Sequence, residues 1–300
     1  MSNSNETENK YTRSGQSKGV FYILLAAFFF SIMSLCVRLS GDLPTMQKAF
    51  FRNFVAAIFS VIVLSRTSEK FHIKKNSWFG LFMRAGFGTA GLIANFWAID
   101  HLGIADSNML NKMSPFFAII LSVFVLKEIP RKFEVFCVII AFTGAAFIIK
   151  PTSGIASLPA LVGLFGGFGA GTAYTFVRKL GKQGERGPVI VMFFSIFSTC
   201  ICLPWLIMDF HPMSLKQTCL LLLAGTTACI AQMCITAAYT YAPAKEISVY
   251  DYTQVVFATV WGLIFFSEVP DIFSIIGYIL IIGIAVIKWK YQNKTGKEKN

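Results

Sequence analysis

Lys112 stands in the middle of an apolar run, Ile104–Pro130, with Asn108, Asn111, Ser114 and Pro115 around it. A charged side chain at the centre of a membrane helix costs about 2.5–3.5 kcal/mol on insertion scales, so such a residue is a functional candidate by default. Pro115 removes a backbone donor and frees a carbonyl one turn back, which predicts a break in the helix beside the lysine. An ammonium, two amides and a freed carbonyl suit the holding of a polar or anionic solute at membrane depth. A second such set lies 140 residues on, where Tyr250, Asp251, Tyr252 and Gln254 precede another apolar run. The stretch Ala244–Pro270 repeats Ile104–Pro130 without a gap. Glu268 falls on Glu128, Pro270 on Pro130, Ala258 on Ala118, Phe257 on Phe117 and Glu246 on Asp106. In the same register Asp251 falls on Asn111 and Tyr252 on Lys112.

Two readings of Lys112 stand side by side. It pairs with Asp251 as a structural bridge, or it meets a carboxylate or phosphate of a substrate. Asp251 has its own alternatives: the partner of Lys112, a site for a substrate ammonium, or a proton carrier coupling transport to a proton gradient. Further candidate substrate contacts are Arg52, Asn95, Trp97 and Tyr174. Arg52 lies about two turns inside its span, too deep for an interfacial anchor, whereas Arg84 is close enough to a surface to snorkel and is read as structural. Trp97, Tyr239, Tyr250 and Tyr252 offer either an aromatic wall or core packing, the latter being the commoner role of an aromatic in a membrane helix. Asp106 and Glu246 sit near helix N-termini, where the dipole favours anions, and are read as caps. Glu128 and Glu268 end their helices and are read as loop-structuring residues.

The elements that must position these residues are membrane helices. Of the 300 residues, 55% are hydrophobic and 14% charged, against about 25% charged in a soluble domain. Ten apolar runs approach the length needed to cross a hydrocarbon layer of roughly 30 Å. They cover 19–37, 46–65, 78–99, 104–126, 133–149, 159–177, 188–207, 217–240, 247–267 and 272–289. The runs are continuous rather than alternating, which excludes a β-barrel. Inside lipid the backbone must satisfy its own hydrogen bonds, so the runs are helices. Residues 1–18 form a polar tail expected to be disordered, and 290–300 a basic tail. The first run lacks a small-residue cleavage site and reads as a retained helix.

The formal charge of +12 marks loops rather than nucleic-acid contact. With the N-terminus placed inside, 20 of the 27 Lys and Arg fall on the inner side, four on the outer side and three within spans. That bias places both termini in the cytoplasm of a multi-pass protein of the inner or plasma membrane. The seven cysteines form no Cys-x-x-Cys pair and read as small packing hydrophobes. No metal or cofactor is expected. The three histidines lie in loops, and His-Glu-x-x-His and Gly-x-Ser-x-Gly are both absent, so an enzyme or a receptor is disfavoured.

The offset of 140 extends beyond the polar stretch: Val37-Arg38 meets Val177-Arg178, Gly41 meets Gly181, Phe133 meets Phe273 and Ile139 meets Ile279. Residues 19–150 and 158–289 are therefore two five-helix repeats. Five is odd, so the second enters the membrane inverted, an arrangement whose substrate site lies near the midplane between halves. Gly163, Gly167 and Gly171 put small residues on one face of the sixth helix, a close-packing surface. The fifth and tenth helices carry no ionisable group in their interiors and are expected to face lipid or a second copy in a homodimer.

These features resemble the drug/metabolite transporter superfamily, EamA type. The residues that carry the resemblance are Tyr241-Ala242-Pro243-Ala244, Ser248, Tyr252, Gln254, Phe257-Ala258, Gly262 and Glu268-x-Pro270, together with Arg52, Pro115 and Glu128 in the first half. The resemblance implies an all-α membrane fold with a cavity lined by helices 1, 3, 4, 6, 8 and 9. It also implies a secondary transporter of amino acids, other small metabolites, nucleotide sugars or sugar phosphates. Lys112 departs from the small or apolar residue usual there, which tilts the expectation toward an acidic or amino-acid-like metabolite moved by alternating access, in the export direction. An exchanger of phosphorylated or nucleotide-linked anions is the alternative, and it requires a second cation beside Lys112.

Overall fold

The computed structural model describes residues 2–67, 72–127, 132–149, 157–241 and 248–297. Its regular elements are all helical. They are α1 (Ser2–Leu39), α2 (Thr45–Ser65), α3 (Trp78–Leu102), α4 (Ile104–Asn111), α5 (Ser114–Val125), α6 (Lys132–Ile149), α7 (Leu158–Lys182), α8 (Gly187–Met208), α9 (Leu215–Tyr241), α10 (Thr253–Phe266) and α11 (Ile272–Lys297). Short 3₁₀ turns at Lys75–Ser77 and Ser248–Tyr252 precede α3 and α10.

Among the described residues, eight stretches are long and apolar enough to cross a membrane, α4 and α5 counting as one. Two of the ten expected runs fall short of that standard. In α3, Arg84 and Asp100 dilute an otherwise apolar helix, and α10 has only 14 residues. Both are packed into the same bundle as the eight. α1 is continuous from Ser2 and α11 runs to Lys297. Once an apolar helix is nucleated, each further turn costs little, so polar flanks extend it.

The pairings explain how the bundle holds its centre open. The main neighbours are α1 with α9, α3 with α7, α2 with α8, and α6 with α11. Exchanging the two halves of the chain turns the first pairing into the second and leaves the other two unchanged, as two-fold-related halves require. Glycines set the closest approaches. A Cβ on Gly169 would lie 2.7 Å from Gly91 Cα, and one on Gly144 would lie 3.0 Å from the carbonyl oxygen of Gly277. The first contact seats α7 on α3 and the second seats α6 on α11. The outer faces carry large exposed apolar side chains such as Phe124, Phe136, Ile207 and Ile279, appropriate to lipid.

Candidate functional site

Both polar stretches are broken helices. α4 ends at Asn111, Lys112 and Met113 form a turn, and α5 restarts at Ser114 with Pro115 in its first turn. In the second half the 3₁₀ segment Ser248–Tyr252 precedes α10. The breaks face each other. Lys112 Nζ lies 2.5 Å from Asp251 Oδ2. The Tyr252 hydroxyl donates to the Lys112 carbonyl at 3.2 Å. Tyr252 is the repeat counterpart of Lys112, so equivalent positions of the two halves touch, and the pseudo-two-fold passes between them.

Asn108 is buried beside this junction. Its Oδ1 accepts from Gln254 Nε2 at 2.6 Å and from Ser34 Oγ at 3.3 Å, while its Nδ2 donates to the Ile104 carbonyl at 2.8 Å. These bonds satisfy Asn108 within the protein and tie α1, α4 and α10 together.

A cavity of about 130 Å³ opens against the junction. Seven of the expected site residues line it: Arg52, Asn95, Asn111, Lys112, Tyr174, Asp251 and Gln254. Arg84, expected to be structural, also lines it, as do Gln232 and Phe194. The two arginines decide its character. Arg52 and Arg84 are each 8% exposed, and the Nε of each is buried without a hydrogen-bond partner. Both guanidinium groups lie over the ring of Phe194, at 5.8 and 3.8 Å from its centroid. Arg52 donates to Asn53 Oδ1 at 2.6 Å, and Asn53 in turn donates to Ser198 Oγ at 2.8 Å. Among the described residues, neither arginine has a carboxylate within ion-pairing distance. Lys112 is neutralised by Asp251, so the uncompensated positive charge belongs to the arginines. Asp251 Oδ1 and Asn95 Oδ1 are also buried without partners.

Three expectations are corrected. Trp97 is not at this cavity: it stacks on His101 at 4.0 Å and lines a separate chamber with Arg38 and Asp100. That displacement follows from its place one turn from the end of α3, where Lys48 Nζ holds Asp100 Oδ2 at 2.6 Å. Tyr250 packs edge-on against Trp289, and Tyr252 is buried by its bond to Lys112, so neither forms an aromatic wall. Asp106 stands in the first turn of α4, where the helix dipole favours an anion, and it also accepts from the Tyr278 hydroxyl at 2.5 Å and from Ser274 Oγ at 3.1 Å, anchoring α11. The α4 amide at Ile104 donates to Glu268 Oε2 at 3.0 Å. Glu128 and Glu246 lie outside the described residues, as does the Tyr239 side chain.

Phe194 was missed because a phenylalanine in an apolar helix carries no signal in sequence. Arg84 is visible in the sequence but its place at the cavity is not, since depth in a helix does not reveal which way a face points. Small residues turn that face inward: α3 abuts α7 through Gly91, against Gly166 and Gly169.

The end of the bundle away from the termini is drawn shut by charges. Arg38 Nη2 lies 3.1 Å from Glu268 Oε1, which joins α1 to the segment after α10, and Lys48–Asp100 joins α2 to α3. At the opposite end a second chamber, of about 340 Å³, lies among α2, α8 and α9 and shares Arg52, Arg84, Phe194 and Gln232 with the polar cavity.

No group of three or more metal-ligating side chains exists among the described residues. The two broken helices meet beside a polar cavity of a size to admit a small solute.

Comparison with known proteins identifies the family. The model of the EamA-like transporter family matches residues 17–150 and again 157–288. The chain is 31% identical over 268 residues to the pseudopaline exporter CntI of Pseudomonas aeruginosa, covering 88% of this chain and 93% of that one. It is 24% identical to an uncharacterized transporter of Helicobacter pylori, covering 88% and 92% of the two chains. Human solute carrier family 35 member G1 is 24% identical, with 92% and 81% covered. A solved crystal structure superposes with a TM-score of 0.62 at 14% identity, covering 90% of this chain and 96% of that one, which speaks to the fold alone. With both halves matched separately by the family model, this chain belongs to the EamA-like transporter family.

Proposed function

We propose that this transporter exports a small metabolite bearing at least one acidic group, by alternating access between two inverted five-helix halves that together make ten crossings. The observation that carries the proposal is the pair of buried, carboxylate-free arginines, Arg52 and Arg84, lining one cavity. A buried cation without a partner is a large electrostatic cost, and an anionic ligand removes it. Direction is argued from loop charge and from the chambers together. The Lys and Arg bias favours cytoplasmic termini, and the site adjoins the chamber at that end through shared lining residues, while Arg38–Glu268 and Lys48–Asp100 tie the other. This state loads from the cytoplasm. Export is also consistent with the name of the pseudopaline exporter that is 31% identical to this chain.

The test is thermal stabilisation of purified protein by a panel of acidic, zwitterionic and cationic metabolites, with wild type, Arg84→Gln and Lys112→Ala side by side. A ligand at about 100 times its dissociation constant adds roughly 2.7 kcal/mol of stability. Acids are expected to stabilise wild type and to lose that effect in Arg84→Gln. Stabilisation by cations alone, or by acids equally in Arg84→Gln, refutes the proposal. A second reading, exchange of phosphorylated organic anions, is favoured by the same observation, because it demands more than one cation and the cavity supplies two beyond Lys112. Counterflow of inorganic phosphate in proteoliposomes separates the two.

A further inference from the structure

The chamber beside the polar cavity is built differently from it. Its walls on α2, α8 and α9 are almost wholly apolar, including Ala56, Phe59, Val63, Val191, Ala228 and Met233. Along α2 the lining recurs at 52, 56, 59, 60 and 63, which is one helix face running from the buried arginine to the end of the helix. Among the described residues, the cations on this chamber are Arg52 and Arg84 at its inner end, neither with a carboxylate in ion-pairing distance. One contiguous space therefore offers an anion site at its bottom and an apolar sleeve above, in a volume of about 340 Å³. A purely polar solute would leave the sleeve unmatched, and an uncharged apolar one would leave both guanidinium groups unpaired.

We infer that the ligand is an amphipathic acid: a carboxylate held by Arg52 and Arg84 over Phe194, with an alkyl or aryl body lying along α2, α8 and α9. This rests on the acidic-solute reading above and names its chemical class. It also assigns distinct tasks inside the site. The arginines take the acid, the sleeve measures the body, and the Lys112–Asp251 pair holds the two broken helices together rather than binding the carboxylate.

The test is a chain-length series, acetate, butanoate and hexanoate, with hexanamide as the uncharged control. Dissociation constants are read by calorimetry with full-length protein in phosphatidylcholine nanodiscs. Each fully buried methylene is worth about fourfold in affinity, so hexanoate is expected to bind at least tenfold more tightly than acetate. Hexanamide is expected to lose that affinity. Ala56→Leu, which adds bulk to the sleeve wall, should shorten the series so that the gain stops before hexanoate.

A gain below tenfold from acetate to hexanoate overturns the inference, as does equal binding of hexanamide. A length dependence that Arg84→Gln leaves untouched overturns it too. If adding phosphatidylglycerol to the nanodiscs displaces hexanoate competitively, the sleeve is a lipid site and the inference falls. The two proposals fail separately. Acids that bind through Arg84 without length dependence refute the sleeve and leave the acidic-solute reading standing; no acid binding at all refutes both.

Discussion

At the residue scale the site is a contrast between a cation that is answered and two that are not. Lys112 has Asp251 at 2.5 Å; Arg84 has only the face of Phe194 at 3.8 Å. A cation over a desolvated ring recovers about 2 kcal/mol, whereas burying an unpaired ion costs several kcal/mol after relaxation. Arg84→Gln is therefore expected to raise the melting temperature of ligand-free protein, by about 2 °C or more, while abolishing stabilisation by acids. Differential scanning fluorimetry with and without ligand reads both effects, and a lowered melting temperature would show Arg84 to be a structural residue. Lys112 should behave in the opposite way. Lys112→Ala or Asp251→Asn alone leaves a partly buried charge unanswered, a loss of about 3 kcal/mol or more. The double variant removes both charges and should be more stable than either single one. A denaturation cycle that gives additive losses would mean the two side chains do not depend on each other.

At the element scale the breaks in the helices were legible and the facing of the helices was not. Pro115 and the repeated polar stretch announce an interruption from composition alone, and the register of 140 makes Tyr252 the counterpart of Lys112. Which residues then look into the cavity is decided by contacts between helices. Gly167 and Gly171 of α7 let it ride directly on the α4–α5 break: a Cβ at Gly167 would stand 2.5 Å from the Leu110 carbonyl oxygen, and one at Gly171 would stand 2.6 Å from that of Ser114. That contact sets the height of Tyr174 and leaves it 52% exposed to the cavity. Nothing local to Tyr174 or Arg84 encodes it. For the same reason Gly167→Ala should be severe. The obstacle is backbone at a break that the Lys112–Asp251 pair holds in place, so α7 must move, with an expected loss of about 1–3 kcal/mol and of transport. Gly181 is the matched control, in the same helix with open space around its Cα. Gly181→Ala should gain up to about 1 kcal/mol from helix propensity. Equal behaviour of the two variants would show that the α7 contact is not what limits the substitution.

At the scale of the whole molecule, transport requires the closed end to open, so its bonds must be strong enough to hold and weak enough to release. Glu268 is the centre of that end. One carboxylate oxygen meets Arg38, the other accepts the Ile104 amide, and the residue also crowds Gly103, whose φ of +109° only glycine adopts freely. Through these contacts Glu268 connects α1, α4 and the end of α10, which belong to both halves. Exposed ion pairs contribute about 0.2–1 kcal/mol, and the Arg38–Glu268 side chains are 24% and 27% exposed. Adding the charge-assisted bond to the helix terminus, about 1.5–3 kcal/mol, gives a latch worth roughly a tenfold or greater bias in population, since 1.4 kcal/mol is tenfold. Glu268→Gln keeps the shape, removes the ion pair and weakens the helix-terminal bond. It is expected to raise the opening of this end about tenfold. A single cysteine replacing Leu92, which lines the central cavity, should then react about tenfold faster with a membrane-impermeant thiol reagent applied from the side opposite the termini, in protein cleared of its native cysteines. Saturating ligand should change that rate in Glu268→Gln less than in wild type, because a latch already released leaves less for binding to shift. An unchanged rate in Glu268→Gln would place the barrier to opening elsewhere, in the buried Lys48–Asp100 bridge between α2 and α3.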